Sequence, residues 1–277
     1  MPDATASIIS LFALAGGMAA TGLFSGMLAG LLGVGGGLVI VPVLFNILPI
    51  FDVQDTVLMK VAVGTSLATI IPTSFISARK HFARGTMDVA LLRSLAPGIF
   101  MGAVLGTVLV VVLKGAVLSG VFAAIVLLAA FNMGFAGLEW RLRQSVPGGL
   151  ARGCIGAGIG AVSAVMGIGG GMLGVPVLSM CGTDIRSAVS TASAFGLIIA
   201  VPATIGLVLA GLGVEGRPPY SLGWVSLIGF GLIVPASIIA TPWGVAMAHS
   251  ISPLLLKRVF AGFLALTSAR MAFSLFG

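Results

Sequence analysis

The chain has 277 residues, of which 58% are hydrophobic and only 8% charged, and its mean hydropathy is +1.22. A soluble domain carries about 25% charged residues to solvate its surface, so this composition belongs to a chain with lipid as its solvent. The 14 Lys+Arg against 7 Asp+Glu give +7. These cations lie between apolar stretches and form no aromatic-interleaved patch, which points to headgroup contacts with the lipid bilayer and leaves no nucleic acid partner.

Apolar segments run over residues 7–50, 56–77, 89–113, 116–138, 149–181, 187–212, 222–248 and 253–276. No basic residue precedes the first, so it is expected to stay as a membrane segment rather than act as a cleaved signal. Most match the ~20 residues that span a bilayer. Segments 7–50 and 149–181 are too long for one helix. Each contains the same string, Gly33-Val34-Gly35-Gly36-Gly37 and Gly167-Ile168-Gly169-Gly170-Gly171. Consecutive glycines cost helix stability, so each long segment reads as a helix, a break and a short second helix. The expected fold is all-α: a polytopic membrane protein with about eight full spans plus broken or re-entrant segments at the GxGGG strings.

The two strings also expose a duplication. Residues 32–44 match 166–178, with Pro42 facing Pro176; 60–65 match 186–191; 95–98 match 233–236; Gly106 faces Gly244, and 121–124 face 259–262. The order is kept, which divides the chain into a first repeat (1–138), a cytoplasmic linker (139–152) and a second repeat (153–277). Arg79, Lys80, Arg84 and Arg93 fill one connection, and Arg141, Arg143 and Arg152 another. The counterpart of the first connection, 210–221, holds only Arg217 beside Glu215, whereas Lys257-Arg258 is basic where the first half has only Lys114. Basic residues placed on opposite members of the matching loops are expected of halves inserted in opposite directions. That makes an inverted repeat with both termini outside.

The paired GxGGGxxxxP segments, the stretch Ala62-Val63-Gly64-Thr65-Ser66 and the turn Arg84-Gly85-Thr86-Met87-Asp88 before an apolar helix resemble the TauE/SafE sulfite exporter family, also called the toluenesulfonate uptake permeases. The resemblance covers nearly the whole chain. It implies transport of sulfur-containing anions, such as sulfite or an organosulfonate like sulfoacetate, across a bacterial-type cytoplasmic (inner) membrane. One departure is that the second half reads Ser190-Thr191-Ala192-Ser193 where the first reads Gly-Thr-Ser.

The residues point the same way. A break at Gly35, Gly36 and Gly37 frees backbone N–H donors at the positive end of the short helix through Pro42, a ready anion site. Gly169, Gly170, Gly171 and Pro176 supply a second, and inverted-repeat transporters place substrate between such ends. The competing explanation is that these glycines only permit tight helix crossing. Lys60 and Arg186, at equivalent positions, either clamp an anion or snorkel to the interface. Thr65, Ser66, Thr191 and Ser193 lie one to two turns deeper, where each either donates to sulfonate oxygens or packs helices. The stripes Gly22–Gly26–Gly30 and Gly98–Gly102–Gly106 suit close packing, in the core or in a homodimer.

Every acid (Asp3, Asp52, Asp55, Asp88, Glu139, Asp184, Glu215) falls at a segment end or in a connection. That argues against a carboxylate proton relay, and Asp88 is placed to cap the helix after it. An anion leaving a negatively polarised cytoplasm gains ~2.3 kcal/mol per charge per 100 mV, which favours potential-driven export. Cys154 and Cys181 have no metal or redox spacing, and the GxGGG strings lack a P-loop Lys, so no cofactor or metal is expected. Gly22-Leu-Phe-Ser25-Gly26 invites a serine-protease reading, but His81 and His249 lie in connections and no HExxH occurs. A passive anion channel using the same donors remains the nearer alternative to a carrier, and an intramembrane enzyme the more distant one.

Overall fold

The computed structural model describes residues 4–32, 36–51, 53–135, 145–247, 262 and 269. In chain order the helices are α1 (Ala4–Leu32), α2 (Gly37–Ile47) with a 3-10 turn at Leu48–Phe51, α3 (Asp55–Ala83), α4 (Val89–Val112) and α5 (Gly115–Phe135). They are followed by α6 (Gly149–Met166), α7 (Gly171–Met180), α8 (Ile185–Gly211) and α9 (Leu227–Met247). Both long segments divide at their glycines, as the sequence predicts. In the first, Gly36 is left-handed at φ 73°; Gly33 and Gly35 lie outside the described residues. In the second, α6 closes on left-handed Gly167, and α7 starts afresh at Gly171. A left-handed residue is what glycine tolerates and a side chain resists.

One detail differs from the expected all-α chain. A two-strand hairpin, β1 (Ser221–Leu222) with β2 (Val225–Ser226), precedes α9, in register Ser221 to Ser226 and Leu222 to Val225. Helix α6 begins at Gly149, where the second long apolar segment begins in the sequence. Among the described residues, five helices are long and apolar enough to cross a membrane: Thr56–Ala83, Val89–Val112, Gly149–Met166, Arg186–Gly211 and Leu227–Gly244. Helix α3 is the central one. Its apolar window is 78% buried within the protein, against 39% for α4. The outer face of α4 instead presents Phe100, Met101, Val104, Leu105, Val108 and Leu109, the surface a helix offers to lipid.

The chain closes by exchange between its halves. Helix α1 packs along α9 and α4 along α6. The glycine stripes make both contacts possible, because in a membrane small residues let backbones touch. A Cβ on Gly22 would strike Ile233 and Ala236, and one on Gly26 would strike Ser237. On α6, Gly156 meets Leu95 and Gly98, and Gly160 meets Ile99 and Ala103. Gly106 meets Ala161 as Gly244 meets Met27. The stripes that fitted either a core or a dimer are therefore core.

Helices α3 and α8 cross at the centre and run antiparallel. Near the end of α3, His81 Nδ1 is 3.1 Å from Ser190 Oγ at the start of α8, while at mid-helix Ser74 lies against Gly196. The connection 84–88 thus sits at one end of the molecule, the basic end. The hairpin and the start of α9 sit at the other, the far end, where Ser226 meets Thr65.

Candidate functional site

The two helix breaks meet at mid-depth, beside the middles of α3 and α8. Gly37, which opens α2, lies against the Gly167 carbonyl, Ser66 Oγ and Ile70. Ser66 Oγ donates to that same Gly167 carbonyl at 2.6 Å. Gly170, before α7, lies against Phe195 and Ile199 of α8. Gly36, Gly37 and all of 167–171 are buried. Neither N-cap, Gly36 nor Gly170, offers a side chain to the first-turn N–H groups. Those donors and the positive end of each helix dipole therefore face protein interior rather than water. Pro42 and Pro176 each occupy the sixth position of their short helix rather than the break. There each removes one N–H and so frees a carbonyl a turn earlier; Pro42 is buried and Pro176 exposed.

Close packing accounts for several of these glycines directly. A Cβ on Gly36 would meet Ser25, one on Gly37 would meet the Gly167 carbonyl, and one on Gly174 the Phe195 ring. The tight contact and the convergence of helix ends are the same feature, because only glycine lets the two breaks approach.

The hydroxyls divide by role. Ser66 belongs to the central contact. Thr65 and Thr191 do not: Thr65 Oγ1 accepts the Ser226 N–H at 2.9 Å, and Thr191 Oγ1 accepts the Asp88 N–H at 3.1 Å. Each threonine ties the residue before a helix of the opposite half. Those two residues then cap their own helices, Asp88 Oδ1 accepting from Leu91 N at 2.8 Å and Ser226 Oγ from Gly229 N at 3.3 Å. The cap expected at Asp88 is present, and its partner Thr191 lies far away in sequence. Ser193 Oγ donates to the Ser190 carbonyl within α8 at 2.6 Å. With α3 and α8 antiparallel, Thr65 and Thr191 stand at opposite ends, roughly 20–25 Å apart at the α-helical rise.

The cations are likewise separated. Lys60 Nζ donates to the Val111 carbonyl in the last turn of α4 at 2.6 Å, where a helix terminus favours a cation. It also lies 5.7 Å from the centroid of the Trp224 ring. Arg186 is exposed at the basic end, its backbone N–H bonded to the Asp184 cap at 3.0 Å. They do not face one common anion.

The surroundings of three residues were not foretold by the sequence. Ser25 and Ser237 lie 3.2 Å apart beside the first break, with Ser237 Oγ donating to the Gly22 carbonyl at 2.9 Å. Ser25 is thus partnered by a serine and a carbonyl. Trp224 is only 3% exposed, with its Nε1 unpartnered. It lies two residues before the α9 cap, as Thr86 lies two residues before the α4 cap.

Long apolar helices, two of them broken at buried glycines, and a lipid-facing outer surface define a multi-pass membrane protein. The family profile described as "Sulfite exporter TauE/SafE" matches residues 18–271, so the chain belongs to that family. It is similar to a "Probable membrane transporter protein" of Haemophilus influenzae, 32% identical over 90% of this chain and 95% of the relative. It also resembles one of the same description from Methanocaldococcus jannaschii, 27% identical over 88% and 90% respectively. No solved structure matches the chain. The protein is a membrane transporter and not an enzyme.

Proposed function

We propose that this transporter is a carrier for small sulfur-containing oxyanions, sulfite or an organosulfonate such as sulfoacetate, and that it exports them across the cytoplasmic (inner) membrane. The anion binds at mid-depth between the N-termini of α2 and α7, in contact with the backbone at Gly36–Gly37 and Gly170–Gly171 and with the Ser66 hydroxyl. The observation that carries the reading is the convergence of the two breaks, with Gly37 and Ser66 both against Gly167. Oriented N–H groups in a water-poor interior stabilise negative charge without a compensating cation. Separation of Lys60 from Arg186 favours this backbone site over a two-cation clamp.

Access alternates by rocking of two inverted repeats. In support, α3 and its equivalent α8 are antiparallel, and the equivalent loops 84–88 and 212–226 lie at opposite ends. Arg79, Lys80 and Arg84 mark the basic end as cytoplasmic. Among the described residues the acids Asp88, Asp184 and Glu215 are exposed at helix ends or in loops, which suits export driven by the membrane potential rather than by a carboxylate relay. In proteoliposomes, sulfite or methanesulfonate efflux should accelerate when the potential is made negative on the side holding the anion. Flux indifferent to the potential would overturn electrogenic export.

A further inference from the structure

Among the described residues, the far end holds a cation with no anionic partner and an indole donor with no acceptor. Lys60 is a cationic side chain on an apolar helix, and its partners are the neutral Val111 carbonyl and the Trp224 ring. Among the described residues no carboxylate lies against it. A cation in such a segment ordinarily has a counter-charge. The buried Trp224 Nε1–H has no acceptor, although a buried indole usually finds one. One turn along α3, Thr65 has its oxygen taken by the Ser226 N–H, leaving its own proton to give. The repeat-equivalent positions at the basic end are furnished differently. Arg186 is exposed. Thr86, the counterpart of Trp224, lies 2.8 Å from Ser190 Oγ, which also meets His81 Nδ1.

We propose that Lys60 and Trp224, with Thr65 beside them, form a second oxyanion subsite at the far end, distinct from the central breaks. A sulfite- or sulfonate-class anion occupies it between the central site and far-side solvent. The proposal rests on the carrier reading above and adds to it a staging position in one half only. An ammonium, an indole N–H and a hydroxyl proton present donors to several oxygens of one pyramidal or tetrahedral anion, and such charge-assisted bonds are the strong ones. Lys60 is tied to the last turn of α4, and the Trp224 backbone N–H donates to the Leu207 carbonyl at 3.3 Å. An arriving anion takes the place of Val111 as the partner of Lys60, releasing the end of α4 from α3.

Trp224 is its own reporter. In the folded W140F/W243F protein in lipid nanodiscs, methanesulfonate or sulfate should produce a saturable change in Trp224 emission, weakened roughly tenfold or more by Lys60→Gln and retained by Lys60→Arg. Trp224→Phe keeps the ring and removes only the donor. In an otherwise unaltered chain it should raise the half-saturating anion concentration for flux roughly tenfold while sparing the maximal rate. Ser66→Ala should weaken flux yet leave the Trp224 response in place. Absence of a saturable response, or unchanged half-saturation in both Lys60→Gln and Trp224→Phe, overturns the subsite even where Ser66→Ala impairs transport. A preserved Trp224 response with Ser66→Ala flux unaltered supports the subsite and overturns the central site instead.

Discussion

At the scale of single residues, the structure separates glycines that must be glycine from those that need not be. Gly102 lies so close to Ala157 that any Cβ would collide with its backbone, whereas Gly158, on the adjoining helix, has nothing within 4 Å. Gly102→Ala should lower stability by about 1–3 kcal/mol or more through overpacking. Gly158→Ala should stay within about 0.5 kcal/mol. Unfolding of the purified protein in mixed detergent micelles measures both, and equal losses would contradict the assigned interface. A bulky group at Gly36 or Gly170 is a poor test of binding, because it clashes with Ser25 or Phe195 whether or not an anion binds there. Ser66→Ala is the cleaner probe: it removes one hydroxyl and adds no volume. The sequence exposed the breaks because consecutive glycines are costly in a helix. It left open whether they met each other, since that contact joins Gly37 to Gly167 through the fold.

Between elements, the recurring device is a threonine of one half holding the helix start of the other. Thr65 and Thr191 sit on the two central helices and bind the backbone before α9 and α4. Replacing either with Val should cost about 0.5–1.5 kcal/mol. The roughly 20–25 Å between them at the α-helical rise means the double variant should lose the sum within about 0.5 kcal/mol. A marked departure from additivity would show that the two ends are coupled through the crossing. The Asp88 cap was legible because capping is a local pattern of a few residues. The threonine ties were not, because Thr65 and Ser226 are 161 positions apart and a hydroxyl on an apolar helix carries no mark of its partner. The glycine stripes announced close packing in the same incomplete way, without naming α9 or α6 as the partners.

For the molecule as a whole, the exchanged pairs α1–α9 and α4–α6 flank the crossing of α3 with α8, and the reading of the halves as inverted makes a topological prediction. Arg84 and Glu215 are both exposed, in equivalent loops. In a chain freed of Cys154 and Cys181, Arg84→Cys should resist a membrane-impermeant maleimide added outside intact cells, and Glu215→Cys should react. Labelling of both from the same side would refute the inversion. Charge asymmetry between matching loops is the sequence feature that suggests inversion, as the positive-inside bias acts on composition rather than on contacts. The central claim, an anion carrier with its site at the joined breaks, is tested most directly by exchange in proteoliposomes. Labelled sulfite or methanesulfonate uptake should saturate, be driven by unlabelled anion trapped inside, and require roughly tenfold more anion for half-saturation after Ser66→Ala. Uptake that rises linearly without counterflow, or a half-saturation unmoved by that substitution, would contradict it.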